Sequence, residues 1–400
     1  MTDTHPSSGS NPDPDTDWNA LPEAEFRAHL RRFIDENCPQ HLRYVRRRLP
    51  PADTLPWYHA LAAAGLIAPG WPRIHGGMEL SPGRHLVFIE EMDAAGTPWL
   101  HDSGVRNLGL AIIAHGTDAQ KQRYLPAIHA GDQIWCQGYS EPGAGSDLAS
   151  LRCAGEIDGD RLTINGQKIW TTSGQHANHM FMLLRTERGT TAHRGITFAL
   201  VDMATPGITV RPIYNLNDEA DFCEVFFDDV TISTDCILGQ PHDGWNVARS
   251  VLGFERIWAG SPRRARHALG ELEAIVAQSG LSGDAVWQDR LVQAEFDTLD
   301  AQDLYRTFAE LITSDGQVGT EVSALKIFST ETFQRISEWT LEAAGAEGAL
   351  ATDLDSDARS AQPLYTFFES RAPTIFSGTN EIHRNILARR ALGLGREDKA

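Results

Sequence analysis

Apolar positions recur at helical spacing near the start of the chain. Phe26, Leu30, Phe33 and Ile34 stand four, three and one residues apart, which places them on one face of a helix. Gly65 and Gly96 read as stops for the helical runs that follow. Near residue 134 the period changes. In "GEIDGDRLTINGQKIW" (155–170) an Asp158-Gly159 pair separates two strand-like runs, the pattern of a tight hairpin. Further short β-rich runs follow, "HMFMLLRT", "GITFALVDM", "ITVRPIY" and "EVFFDDVTI", divided by Gly, Pro and Asp. After "QPHDGW" the helical spacing returns in long segments at about 245–279, 284–314, 320–344 and 361–392. Pro262 is expected to kink the first of these, because its ring clashes with the preceding turn and it lacks an amide donor.

This order predicts an α+β protein with an N-terminal helical domain over 18–133, a β-sandwich or small barrel over 134–245 and a C-terminal helical bundle over 246–400. Residues 1–17, rich in Pro, Ser, Asp and Gly, carry too few apolar side chains to offset the entropy of ordering and are expected to be disordered. No internal repeat is visible.

Composition narrows the function classes. At 400 residues and 41% hydrophobic the chain can bury a sizeable core. A formal net charge of −19 disfavours nucleic-acid binding but leaves room for small anionic ligands at local sites. No apolar run is long enough to span a membrane, and the first residues lack a signal-peptide pattern, so a cytoplasmic protein is expected. The five cysteines are scattered without a CxxC pair, which fits reduced thiols and argues against a zinc site.

Two stretches carry candidate chemistry: "WCQGYSEPGAGSDLASL" (135–151) and "NGQKIWTTSG" (165–174). Glycines in the first let a ligand approach the backbone, and the hydroxyls of Ser140 and Ser146 offer hydrogen bonds to a polar cofactor; a tight loop would use the same residues. Together with "WPRIHGG" (71–77), "YLPAIHAGD" (124–132) and "GTNEIHRN" (378–385), these stretches resemble the acyl-CoA dehydrogenase flavoprotein family over essentially the whole chain after residue 17.

The resemblance implies FAD as cofactor and an acyl-CoA thioester as substrate, dehydrogenated to the trans-2-enoyl-CoA. It assigns Gln137, Tyr139, Ser140, Trp170, Thr171, Thr172, Thr379, Asn380 and Glu381 to the cofactor. Trp170 would stack on the flavin edge and exclude water, and the Thr172 hydroxyl would bond a flavin ring nitrogen. Core packing is the plain alternative for Trp170, and a solvated helix carboxylate for Glu381. Ser146, Phe254, Arg256, Ser377 and Gly378 are assigned to the substrate, with the Ser377 amide polarising the thioester carbonyl.

The family's commoner form carries a carboxylate base where this chain has Ser377. Members with a non-acidic residue there use a glutamate that precedes an arginine on the first long helix of the bundle, which matches Glu255 and Arg256 in "GFERIWAG" (253–260). Glu255 is therefore the expected base; a surface glutamate or an ion pair with Arg256 is the structural alternative. Two segments that hold the adenosine diphosphate half of FAD elsewhere in the family read here as "LSGDAVWQDRLVQ" (281–293) and "EAAGAEG" (342–348). These departures are most similar to a bacterial branch acting on bulky or branched CoA esters, some members of which form α2β2 tetramers.

A homodimer, homotetramer or α2β2 heterotetramer is thus expected, with an electron-transfer flavoprotein as acceptor and neither a nucleic-acid nor a membrane partner. Two alternatives stand beside an active dehydrogenase. One is a non-catalytic or partner-dependent subunit of a mixed tetramer; the other is a flavin oxidase or monooxygenase on the same fold. The acyl group itself is not legible.

Overall fold

The structure is a computed structural model that describes residues 16–187, 189–190, 192–315, 319–350 and 361–394. The side chains of 252–259, 309 and 312–315 lie outside that description. The disordered start expected over 1–17 falls mostly on 1–15, also outside the described residues. The chain divides into two units: residues 1–135 with 176–178, and the remainder.

The first unit is helical: α1 (Glu23–Asn37), α2 (Pro51–Ala63), α3 (Pro82–Ala94), a π-helical stretch Gly104–Gly109 running into α4 (Leu110–His115), and α5 (Asp118–Ala130). α1 buries Phe26, Leu30, Phe33 and Ile34, the stripe its spacing predicts. Its outer face reaches α3 by charge: Arg27 and Arg31 both bond the buried Glu91 carboxylate, at 2.8 and 2.6 Å. The bonds from Arg31 and Arg27 hold that carboxyl below the usual range against the opposing effect of burial, the largest single influence on it. Gly65 and Gly96, just beyond α2 and α3, have the left-handed φ of helix stops, +68° and +63°. Trp71 is buried and its indole N–H donates to the Val105 carbonyl at 2.9 Å, securing the π-helical stretch. At Gly109 a Cβ would lie 1.9 Å from the Trp71 ring, so this close approach demands glycine.

The second unit combines a sheet with a bundle. Its strands are β1 (Trp135–Gly138), β2 (Ala154–Asp158), β3 (Arg161–Thr172), β4 (His179–Arg185), β5 (Ile196–Asp202), β6 (Ile208–Ile213), β7 (Phe222–Ser233) and β8 (Ile237–Leu238). They order as β6-β7-β3-β2-β4-β5-β8, with β1 against β4. Two antiparallel ladders meet at the parallel pair Ala154↔Arg185. The β2–β3 hairpin turns at Asp158-Gly159, with Asp158 opposite Arg161 and Gly159 at φ +59°.

The bundle holds α6 (Gly244–Ala259), α7 (Arg263–Gln278), α8 (Ala285–Asp315), α9 (Val322–Ala344), α10 (Pro363–Glu369) and α11 (Asn380–Ile386). Its core is built from Leu272, Ile275 and Val276 of α7 with Phe333 and Ile336 of α9. Two expectations are corrected. Pro262 interrupts the first run as its position predicts, but as a break between α6 and α7 and not as a kink within one helix; the chain also passes close to α9 at Gly260, where a Cβ would lie 2.6 Å from Leu325. The run expected over 361–392 is likewise divided: α10, a single turn Ala372–Thr374, non-helical residues 375–379, and then α11. Tertiary hydrogen bonds to α9, described below, hold that interruption open.

Candidate active site

The loop between β1 and β2 is braced from inside. Glu141 and Ala144 exchange both main-chain hydrogen bonds at 3.0 Å, closing a turn over Pro142-Gly143. The buried Glu141 carboxylate accepts from the amides of Arg152 (2.6 Å) and Cys153 (2.8 Å) and from Lys168 Nζ (2.7 Å). Lys168 is fully buried and also donates to the Tyr139 carbonyl at 3.2 Å. Every charge in this cluster is thus paired and hydrogen-bonded, as burial requires. On the outside the loop is open: Ser146 is exposed, and a Cβ added at Gly143 or Gly145 would meet nothing within 4 Å.

Gln137 and Ser140 are half-buried beside this loop. Tyr139 turns inward, its ring edge-on to Phe181 (5.9 Å) and Phe198 (6.2 Å) in the sheet core. Its side chain therefore packs in the sheet core and does not line the open face of the loop.

At the end of β3 the pairing with β7 slips between Lys168 and Thr171. Trp170 there has φ +60° and Ser173 φ +53°, two left-handed positions without glycine, each a local cost of order 1–3 kcal/mol. The slip pushes Trp170 outward to 55% exposure, where it meets Phe222 edge-on at 6.0 Å. Thr171 is fully buried and its hydroxyl has no partner among the described residues; Thr172 is half-buried. Strain, an outward indole and an orphaned hydroxyl within the four residues 170–173 are what a ligand-facing strand end shows.

The third element is residues 375–379. Ser377 (φ +53°) and Gly378 (φ +86°) are consecutive left-handed residues. Their carbonyls are pulled toward α9 and α11: Ser377 O lies 3.0 Å from His383 Nε2, and Gly378 O accepts from Lys326 Nζ at 2.7 Å. Because a carbonyl only accepts, His383 carries a proton on Nε2; its Nδ1 lies 3.0 Å from Ser323 Oγ. Gly378 must be glycine, since a Cβ would stand 3.0 Å from His383 Nε2 on a left-handed backbone. The amides of Ser377, Gly378 and Thr379 have no hydrogen-bond partner among the described residues.

Thr379 caps α11, accepting from the Ile382 amide at 3.2 Å. Asn380 is buried against α9, bonded to Lys326 Nζ (2.8 Å), Thr330 Oγ1 (3.1 Å) and Glu331 Oε1 (3.0 Å). Glu381 is exposed; its own amide, then the Thr379 hydroxyl, hold its carboxyl below the usual range. The loop from β6 to β7 is tied to α10, with Asn217 Nδ2 donating to the Tyr365 carbonyl (3.3 Å) and Tyr365 OH to Glu219 (3.0 Å). This links the strand bearing Phe222 to the helix that leads into Ser377.

Glu255 belongs to α6 in the same unit; its side chain, with those of Phe254 and Arg256, lies outside the described residues. Sequence reasoning missed Lys168, Lys326 and His383, the groups that hold the two candidate loops from behind. Spacing carried the signal for both lysines. Lys168 shares the inward parity of Leu162 and Ile164, and Lys326 falls in register with Val322, Ser329 and Phe333 along the buried face of α9.

A helical unit is followed by a sheet and a helical bundle, and the second unit carries a braced glycine loop, an outward indole and an anchored Ser-Gly turn. Residues 22–132, 136–230 and 242–392 match in turn the N-terminal, middle and C-terminal domains of acyl-CoA dehydrogenase, and the chain belongs to that family of flavoprotein oxidoreductases. Acyl-CoA dehydrogenase IpdE1 of Mycobacterium tuberculosis is 38% identical over 389 residues, 94% of this chain and 98% of that protein. Among solved structures, the Tcur3481-Tcur3483 steroid ACAD superposes with a TM-score of 0.85 at 25% identity, covering 94% of this chain and 98% of the other. The ChsE4-ChsE5 complex from Mycobacterium tuberculosis superposes at 0.79 and 27% identity, over 94% and 98%. Among the described residues no helix is long and apolar enough to cross a membrane.

Proposed function

We propose that the protein is an FAD-dependent acyl-CoA dehydrogenase that forms the trans α,β double bond of a CoA thioester, with Glu255 as the base. The observation that carries this reading is the Ser377–Gly378 turn, whose carbonyls are drawn inward by His383 and Lys326 while its amides have no hydrogen-bond partner among the described residues. Such amides suit a carbonyl oxygen that gains negative charge as the α proton leaves.

The residues present also fit a flavin. Trp170 offers an exposed aromatic face, Thr172 a half-buried hydroxyl at a strained strand end next to the buried, unpartnered hydroxyl of Thr171, and the open space over Gly143 and Gly145 admits close approach. Bound FAD would supply acceptance of the β hydride. Glu255 takes the α proton, which a serine at 377 with no adjacent base does poorly, and the Ser377 amide donates to the thioester oxygen.

The substrate we favour is a bulky, ring-bearing acyl chain, on the similarity to the steroid ACAD. Two of the similar structures are two-component assemblies, which favours a second reading in which this chain works with a sequence-related partner and passes electrons to an electron-transfer flavoprotein. Anaerobic bleaching of the flavin by straight-chain, branched, aromatic and steroid-side-chain CoA thioesters, with and without the co-expressed partner, tests both. Bleaching by the ring-bearing esters is expected, and no bleaching by any ester in either preparation overturns the assignment.

A further inference from the structure

Lys326 is fully buried on α9, and among the described residues it forms no ion pair with a carboxylate. Its ammonium bonds two neutral oxygens, Gly378 O at 2.7 Å and Asn380 Oδ1 at 2.8 Å. A buried ammonium bonded only to amide oxygens is an expensive arrangement for structure alone, because a neutral donor would hold the same carbonyl without the desolvation.

We propose, resting on the dehydrogenase reading above, that Lys326 is a positioning residue for enolisation: with His383 it fixes the two peptides that follow the Ser377 amide, and its charge adds to the field around that amide as negative charge develops on the thioester oxygen. Planarity of the trans peptide makes the direction follow from the bonds. The Gly378 N–H points opposite the Ser377 carbonyl that His383 holds, and the Thr379 N–H points opposite the Gly378 carbonyl that Lys326 holds. Both face away from the clamp. Hydrogen bonding at a carbonyl polarises the whole peptide group and makes its N–H a stronger donor. His383 does this through an imidazole N–H and Lys326 through an ammonium. Burial lowers the Lys326 pKa to about 8, with Glu381 and Glu331 opposing, so the cation is present at pH 7.

The test separates polarisation from scaffolding. The holoenzyme is given tert-butylacetyl-CoA, which has α hydrogens but no β hydrogen, so that α exchange in deuterium oxide reports enolisation without hydride transfer. With the thioester carbonyl labelled in carbon-13, the infrared stretch of the bound ligand reports its polarisation directly. Lys326→Met is expected to slow exchange by about 10- to 100-fold, the scale for losing oxyanion support. It is also expected to return part of the carbonyl downshift, with ligand affinity and flavin content little changed. Lys326→Gln keeps a donor without the charge and should follow Lys326→Met; it stands in if the methionine variant does not fold. Exchange and carbonyl stretch at wild-type values in both variants overturn the proposal, as does a parallel loss of affinity, flavin and exchange, which marks a scaffold. A wild-type enzyme that binds the thioester yet exchanges no α hydrogen instead overturns the dehydrogenase reading itself.

Discussion

The second unit buries two lysines, and they are treated in opposite ways. Lys168 faces a carboxylate, Glu141, whose remaining lone pairs are taken by two amides. Lys326 faces only neutral oxygens. In the first cluster charge is cancelled where it arises and the result is a rigid loop. In the second the ammonium has no hydrogen-bonded carboxylate among the described residues, Glu381 and Glu331 acting on it only at longer range, and it sits beside a turn whose amides have no partner among the described residues. A buried charge that is fully answered serves the fold, and one left unanswered is a field available to chemistry.

The contrast can be broken most forcefully at Lys168. Lys168→Met leaves Glu141 buried without its cation and should cost about 3–5 kcal/mol, read from urea unfolding. The double variant with Glu141→Gln should recover part of the loss, because no orphan charge remains. A single-variant loss under about 1 kcal/mol would mean that the pair is not the brace described. Next in size is Glu255→Gln, expected to slow flavin reduction by about two orders of magnitude while leaving FAD and CoA binding nearly intact. Rapid-mixing kinetics with a confirmed substrate checks this, and Ser377→Ala should be mild because the amide remains.

A smaller effect is expected at Gly378→Ala, which places a Cβ against His383 on a left-handed backbone and should cost about 1–2 kcal/mol. Thermal unfolding together with the flavin-reduction rate measures it, and an unchanged rate would free the turn from its proposed role. The smallest effect is in pH. Lys326 titrates at about 8 in the folded chain against 10.5 when unfolded. Below pH 8 both states are protonated and the cost of burying the charge is fully present. From pH 8 to 10.5 the folded state gives up its proton first, so this group adds stability as pH rises. Wild type should gain relative to Lys326→Met across that window in urea titrations, and parallel curves would contradict the assigned shift.

What the sequence made legible was local. The α1 stripe, the Asp158-Gly159 hairpin and the helix stops at Gly65 and Gly96 rest on neighbours within a few residues. The interruption at 375–379 does not. Its left-handed serine is held by groups on α9 about fifty residues earlier and by His383 beyond it, so the apolar spacing across 361–392 carries no sign of it. Pro262 marked the right place but understated the outcome, because the close pass of Gly260 over Leu325 is a tertiary fact. Within the candidate site, residue types were legible and their directions were not: Tyr139 and Asn380 point into packed surroundings, whereas Trp170 points out.

The slipped pairing at Trp170 has an optical consequence. Trp18, Trp57, Trp71, Trp135 and Trp287 are all buried, so the indole at 55% exposure emits at longer wavelength than these. A chromophore settling against it would extinguish that red edge first, leaving the blue emission of the interior tryptophans less affected.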